Sequence, residues 1–377
     1  MNWNKVRDEF PGIRGYVYLN SASRGPIPQR TIKILKNLLD DLVREEISGD
    51  KNYPANLWQV RKLVAKMLHT KAENISLSFN TSLPLNIAAQ GIPFKKGDVI
   101  LLGNNEFPAN VYPWLNLERK GIKIKFVESR NGIVTVDDFE RAWEKRTRAI
   151  AISFVNFHNG FKNDLRSLAA LCHAHDGYLI VDGIQGVGVN ELDVEKSGVD
   201  FISAGGAKWL ISPYGSGFMY VSDRLRPHLD MTFVNWVAAG VGRLYEGEYH
   251  SLLNYEARYA DNGRRYEIGT LPYYDLFGFG ESLKLILEIG VPVIEERLKS
   301  LLDPLIYELH RKGAGIASFL APEHRSPILS FRVKNGKQVA ALLRRKKIIV
   351  SYREGMIRVS PHIFNDESDI EKLISAF

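Results

Sequence analysis

The chain has 377 residues, 45% of them hydrophobic and 25% charged, the balance of a globular enzyme with length enough for two domains. No apolar run approaches the ~18–20 residues of a membrane span, and the polar opening MNWNKVRDEFPGIRG lacks the apolar centre of a signal peptide. The one cysteine, Cys172, excludes an internal disulfide and suits a cytoplasmic setting, and the net charge of +7 is too dispersed for a nucleic-acid surface.

Residues 16–28, YVYLNSASRGPIP, read as a short strand broken by Asn-Ser and Gly-Pro. By residue type alone, Ser23 and Arg24 lie in a surface turn. Apolar spacing predicts helices over 29–47 and 56–69, and the stretch 42–55 ends in loop signals. ISLSF at 75–79 is a predicted strand, followed by Asn80-Thr81-Ser82-Leu83-Pro84. Hydroxyls at a strand-to-helix junction suit a phosphate, because the N–H groups of a helix start favour an anion. Simple N-capping by Ser82 is compatible with that role. DVILLG at 98–103 is the next strand, and Phe107 beyond it reads as a core aromatic. Strands at 122–128 and 148–155 flank a helix at 136–146. Asn156 and His158 come next, and a lone His is more often structural than functional. Helical spacing over 165–177 makes Cys172 a buried helix cysteine. The pair His173 and His175 points to different helix faces and forms no metal motif.

Residues 178–220 organise the chain. The apolar run Tyr178–Val181 ends in Asp182, with Gln185 one turn later. Phe201-Ile202-Ser203 opens through Ala204-Gly205-Gly206-Ala207 into Lys208, and Gly217–Val221 closes the stretch. An acid after one strand and a lysine after the next would meet at one edge of a parallel sheet. A lysine amine can form a Schiff base with an aldehyde cofactor such as pyridoxal phosphate (PLP). A carboxylate facing the pyridine nitrogen keeps the ring an electron sink, and an amide can bond its phenolic oxygen. The plainer reading makes Asp182 a cap, Lys208 a solvated loop residue and the glycines turn-formers.

Seven strand-like runs separated mostly by helices give an α/β fold with one mostly parallel sheet. Residues 223–262 read as irregular. A helix at 291–312, strands at 328–333, 348–352 and 356–360, and helices at 337–346 and 367–377 make a smaller α+β tail. The basic run Arg344–Lys347 reads as a solvated helix end. The expected domains are 15–262 and 263–377, the second joined by residues 1–14.

The order D-x-x-Q, then D-F, then a small-residue turn into K-W-L, then P-Y-G-S-G-F resembles the class V aminotransferases of fold-type I PLP enzymes, a group that includes cysteine desulfurases and isopenicillin N epimerase-like proteins. The resemblance extends to YLNSASRGPIP, Thr81-Ser82, NNEFPAN, RRYEIGT and GMIRVS. It implies a PLP-dependent transferase fold and a homodimer with shared active sites acting on an amino acid. It implies Lys208 as the PLP lysine, Asp182 as the pyridinium partner and Gln185 as the phenolate partner. Thr81 and Ser82 would bind the phosphate, with Thr270 reaching the neighbouring subunit's phosphate. Phe107 would stack on the ring where relatives often carry a His that can move a proton. Arg358 would hold the substrate α-carboxylate, with Asn156 and Ser23 beside it.

Asn80 and Leu83 depart from the family's Gly and Glu, and Ala207 stands where relatives often have His. No Cys occupies RRKKIIVSYREGM, where a desulfurase carries its thiolate, so the expectation is against a protein-persulfide desulfurase. An aminotransferase is the leading reading. Epimerisation, β-elimination with carbon–sulfur cleavage, and a non-catalytic PLP-binding scaffold are the alternatives. A nicotinamide enzyme is a weaker rival, because GIQGVGVNE does not spell G-x-G-x-x-G.

Overall fold

The computed structural model describes residues 1–45, 53–235 and 259–376. Part of the expected loop at 42–55 and most of the irregular stretch at 223–262 lie outside them. Helix α1 (Trp3–Asp8) and strand β1 (Val17–Tyr18) precede helices α2 (Gln29–Glu45) and α3 (Tyr53–Leu68). An alternation follows: β2 (Ile75–Ser78), α4 (Ser82–Gly91), β3 (Val99–Gly103), α5 (Tyr112–Leu115), β4 (Lys123–Val127), α6 (Val136–Ala142) and β5 (Thr147–Ser153). It continues through α7 (Leu165–Ala174), β6 (Tyr178–Asp182), α8 (Val194–Ser197), β7 (Phe201–Gly205) and β8 (Gly217–Val221).

Strands β2 to β8 form one seven-stranded sheet in the order β2-β8-β7-β6-β5-β3-β4. Only β8 runs against its neighbours, being antiparallel to β2 and β7. The central strands are apolar and buried along their whole length, as a sheet covered on both faces requires. Their side chains alternate between two cores. Val99, Leu101, Leu179 and Val181 enter one, and Ile100, Leu102 and Ile180 the other. The edge strand β4 leaves Lys123 and Phe126 exposed, and an edge lysine discourages further pairing.

Helix α6 begins at a capping box between Thr135 and Asp138. It ends at Ala142 rather than 146, because Trp143 turns extended. Helix α7 stops at Ala174, before Asp176 enters the left-handed region at φ 54°. Among the described residues no helix is long and apolar enough to cross a membrane.

The tail comprises α9 (Tyr273–Ile289), α10 (Val291–Arg311), β9 (Gly315–Ile316), β10 (Leu329–Arg332) and α11 (Gly336–Arg345). It ends with β11 (Ile348–Ile349), β12 (Ser351–Arg353), β13 (Met356–Val359) and α12 (Glu367–Ile374). A four-stranded antiparallel sheet runs β12-β13-β10-β9, and β11 pairs in parallel with β1 near the other chain end. Residues Arg344 to Lys347 are exposed at the end of α11, where the helix dipole favours cations.

Helix α9 was not among the expected elements, and its two glycines, Gly278 and Gly280, carry low helix propensity. Those glycines serve packing instead. A Cβ on Gly278 would sit 3.2 Å from Leu35, and one on Gly280 3.2 Å from Val60, so both positions bring α9 close to α2 and α3.

Candidate active site

The C-terminal ends of β2, β3, β5, β6 and β7 share one edge of the large sheet. The chain passes from β3 outward to β4, then returns across it to β5 and on to β6 and β7. The loops after β3 and β5 therefore diverge and leave a crevice, the place where open α/β sheets bind ligands.

Lys208 stands in the turn after β7. Its Nζ lies 5.5 Å from the centroid of the Phe107 ring, contributed by the loop after β3. Among the described residues it has no hydrogen-bond acceptor. Burial pushes its pKa down to about 8, opposed by Asp182 and aided by the positive Arg358 and Arg353. Asp182 ends β6 and is buried. Its Oδ1 accepts from the N–H of Ile184 at 3.0 Å, and Oδ2 makes no hydrogen bond among the described residues. Burial raises this carboxyl to about 6, against the Ile184 bond and the Lys208 charge. The acid and the amine thus lie near enough to shift each other's protonation.

Gln185 is buried beside them. Its Oε1 accepts from Trp209 Nε1 at 2.8 Å, and its Nε2 donates to the Ala22 carbonyl at 3.0 Å. One amide N–H remains for a ligand. The Lys208 turn is also held by the N-terminal segment, where Gly25 N–H donates to Ala207 O at 2.9 Å. A Cβ on Gly25 would fall 2.1 Å from Lys208 O, so only glycine permits this approach.

At the start of α4, Thr81 is buried and its hydroxyl accepts from Gly205 N–H at 2.9 Å, leaving the hydroxyl hydrogen free to donate. Ser82 is exposed and is not the cap. The capping bond is made by Asn80 Oδ1, which accepts from Leu83 N–H at 2.8 Å. Phe107 is half-buried rather than a core ring. It forms an aromatic wall, edge-on to Phe157 with centroids 5.2 Å apart.

Asn156 braces its own loop, donating to Asn105 O and accepting from His158 N–H, each at 3.0 Å. His158 holds a buried Nδ1 with no partner among the described residues, and burial lowers its pKa. Arg358, on β13, is buried at 1% exposure. It donates to Ser351 Oγ at 3.1 Å, Ser23 Oγ at 2.9 Å and the Phe157 carbonyl. Among the described residues it pairs with no carboxylate, and two of its five N–H donors remain free. The structural ion pair that could have explained it is absent from these residues.

Thr270 is exposed and stands outside the Lys208 cluster's hydrogen bonds. Arg24 lies over the ring of Tyr214, 4.6 Å from its centroid. Glu267, in the same motif as Thr270, pairs with Arg61 of α3 at 3.0 Å and not with Arg265. Both partners are buried, and Glu267 also accepts from Leu77 N–H.

Sequence reasoning missed three residues here. Glu106 accepts from Ser153 N–H at 3.0 Å, Ser153 Oγ at 2.6 Å and Asn110 Nδ2 at 2.9 Å. Its enclosed carboxyl is pushed up to about 7 by burial, with Asp182 adding to the rise. His362 donates to Trp209 O, and Arg353 reaches Ser23. The NNEFPAN stretch held the signal for Glu106, an acid directly after a buried strand.

Residues 17–373 match the model of the family described as aminotransferase class-V. The chain belongs to that family. It is similar to a probable cysteine desulfurase of Methanothermobacter thermautotrophicus, 26% identical, with 99% of this chain and 96% of the relative covered. It is 24% identical to isopenicillin N epimerase of Streptomyces clavuligerus, covering 100% and 97%. Among solved structures, a C-DES mutant with glycine covalently linked to its PLP cofactor superposes with a TM-score of 0.88 at 22% identity, covering 98% of each chain. The cystine C–S lyase C-DES in complex with its product cysteine persulfide gives 0.87 at 22%, covering 97% and 98%. The fold is that of fold-type I PLP enzymes.

The class V family implies PLP, and the residues present fit it. Among the described residues, an amine without an acceptor stands against the face of Phe107 and within the influence of a carboxylate that has one oxygen without a donor, and the Thr81 hydroxyl, with its hydrogen free, is bonded to the strand leading to Lys208. The expectation against desulfuration finds no support in these relatives. The chain's own thiol is a separate matter. Cys172 is fully buried in α7, and burial raises its pKa.

Proposed function

We propose that this class V chain is a PLP-dependent enzyme that removes the α-proton of an amino acid and expels a β-substituent, with carbon–sulfur bond cleavage the favoured case. The observation that carries it is the Lys208 amine set against Asp182 in one crevice, with the buried, unpaired Arg358 beside it. When bound, PLP supplies the electron sink for the carbanion. Arg358 offers its two free N–H groups to the α-carboxylate, a bidentate geometry suited to guanidinium. Lys208 holds the cofactor and then takes the Cα proton at Nζ, a task favoured by its lowered pKa. With PLP bound, Asp182 would serve the ring nitrogen and Gln185 the ring oxygen. Phe107 covers one face but carries no proton. Thr81 and Ser82 would hold the phosphate, and Thr270 would reach the phosphate of a second copy in a dimer. Asn156 and Ser23 shape the substrate side.

In the elimination the Cα–H and Cβ–S bonds break, and sulfur leaves with its electron pair and gains a proton. With one water the products are a thiol, pyruvate and ammonium. No protein thiol takes part, which suits the position of Cys172. The small-domain division at 263–377 is part of the same reading.

The test incubates PLP-loaded protein with cystine and cysteine S-conjugates and follows thiol and pyruvate. Lys208→Ala should lower the rate by about 10²–10⁴-fold. Amino transfer that depends on added keto acid, without pyruvate from S-conjugates, would instead establish the aminotransferase reading. A cofactor spectrum unmoved by any amino acid would leave the scaffold reading. A monomeric sedimentation coefficient for the active protein would rule out the shared site.

A further inference from the structure

The turn between β12 and β13 is Glu354-Gly355, both with positive φ (48° and 76°), a two-residue hairpin of the tightest kind. Its register pairs Arg353 with Met356 and Ser351 with Arg358. Opposed residues share a face, and so do residues two apart along a strand. Arg353, Ser351 and Arg358 therefore lie on one face of the hairpin.

Two guanidinium groups converge there on a single hydroxyl. Ser23 Oγ accepts from Arg358 Nη2 at 2.9 Å and from Arg353 Nη2 at 3.3 Å. A hydroxyl carries no charge to offset either cation. Among the described residues no Asp or Glu forms an ion pair with Arg353 or Arg358. Both cations also act on the Lys208 amine and lower its pKa, so both belong to the field of the crevice. Burial lowers the Arg358 pKa, and the nearby Arg353 charge adds to the fall. One α-carboxylate can satisfy one guanidinium. The second, bonded to the same Ser23 hydroxyl, is left with no carboxylate among the described residues.

We infer that Arg353 and Arg358 form a two-anion clamp, and that the substrate is an amino acid bearing a second anionic group, a carboxylate or a sulfur oxyanion, on its side chain. Arg358 takes the α-carboxylate and Arg353 the distal anion, with Ser23 fixing the spacing between them. This inference rests on the amino-acid reading of the site. Arg353 is exposed, so it can be changed without opening the core.

Succinate and butyrate are probes of equal chain length that differ in one carboxylate and carry no amine to react. Calorimetric titration of the PLP-loaded protein should find succinate bound at least about tenfold tighter than butyrate. In Arg353→Leu the ratio should fall to near one, and Arg353→Lys should retain part of it. Equal affinity for the two acids in the unaltered protein, or a succinate preference that survives Arg353→Leu, would overturn the clamp. An amino acid screen that leaves the cofactor spectrum unmoved would remove the enzyme reading only. The succinate comparison would still decide on the arginine pair.

Discussion

At the scale of single residues, the amine of Lys208 has the clearest consequence. A lysine in water loses its proton near 10.5, and here the pKa is about 8. Covalent capture of an aldehyde needs the neutral amine. Capture of PLP by the cofactor-free protein should therefore accelerate as pH rises and level off above about 8. Stopped-flow absorbance across pH 6.5–10 checks this, and a midpoint near that of a solvated lysine would contradict it. Lys208 and Asp182 were legible because Asp182 ends one apolar run and Lys208 follows the next across a small-residue turn, and the ends of parallel strands share an edge. Glu106 was legible only in part, since its partners Ser153 and Asn110 come from separate segments. The plainer alternative of Ser82 as the helix cap fails because sequence does not tell which of three adjacent polar residues turns its side chain back to the helix, and here it is Asn80.

Among elements, the link between the Lys208 turn and the C-terminal segment rests on His362. This ring is fully buried, its Nε2 donates to Trp209 O at 2.9 Å, and its Nδ1 accepts from Ile363 N–H at 2.8 Å. That pattern demands the neutral form, and burial lowers the pKa to about 4. The unfolded chain takes up this proton near the ordinary value of 6.5, before the native state can. Stability from this group is complete above about 6.5 and declines as pH falls toward 4, by about 3 kcal/mol at the lower limit. Denaturant titrations of the native protein and His362→Gln should show a shallower acid decline in the variant. An identical pH dependence would refute the assignment. Nothing in a sequence motif marks His362, because its partner lies 153 residues away. Helix α9 was hidden for a related reason. Its glycines weaken helix propensity locally and are justified only by the neighbours they touch.

Across the whole molecule, the seven strands of one mostly parallel sheet followed from alternating runs and helices, while their order came only from the structure. The tie between the chain ends did not follow from those runs either. Arg7 pairs with Asp369 at 2.7 Å, and Phe10 packs on Phe364 with ring centroids 4.9 Å apart. Phe10→Ala should cost about 3–5 kcal/mol of unfolding free energy, measured in urea, because the buried ring leaves a cavity at this junction. A loss below 1 kcal/mol would show that the ends are not coupled through it. The strand pairing of Val17 and Tyr18 with Ile348 and Ile349 has a consequence for biosynthesis. A ribosome releases the first of these partners long before the second, and until residue 348 emerges the segment carrying Gly25 is tied to the large sheet by Gln185 and Ala207 without its strand partner. The wall of the pocket around the reactive amine therefore gains its last strand support only once residue 348 has been made, and a chain stalled before that point should retain a cofactor less firmly.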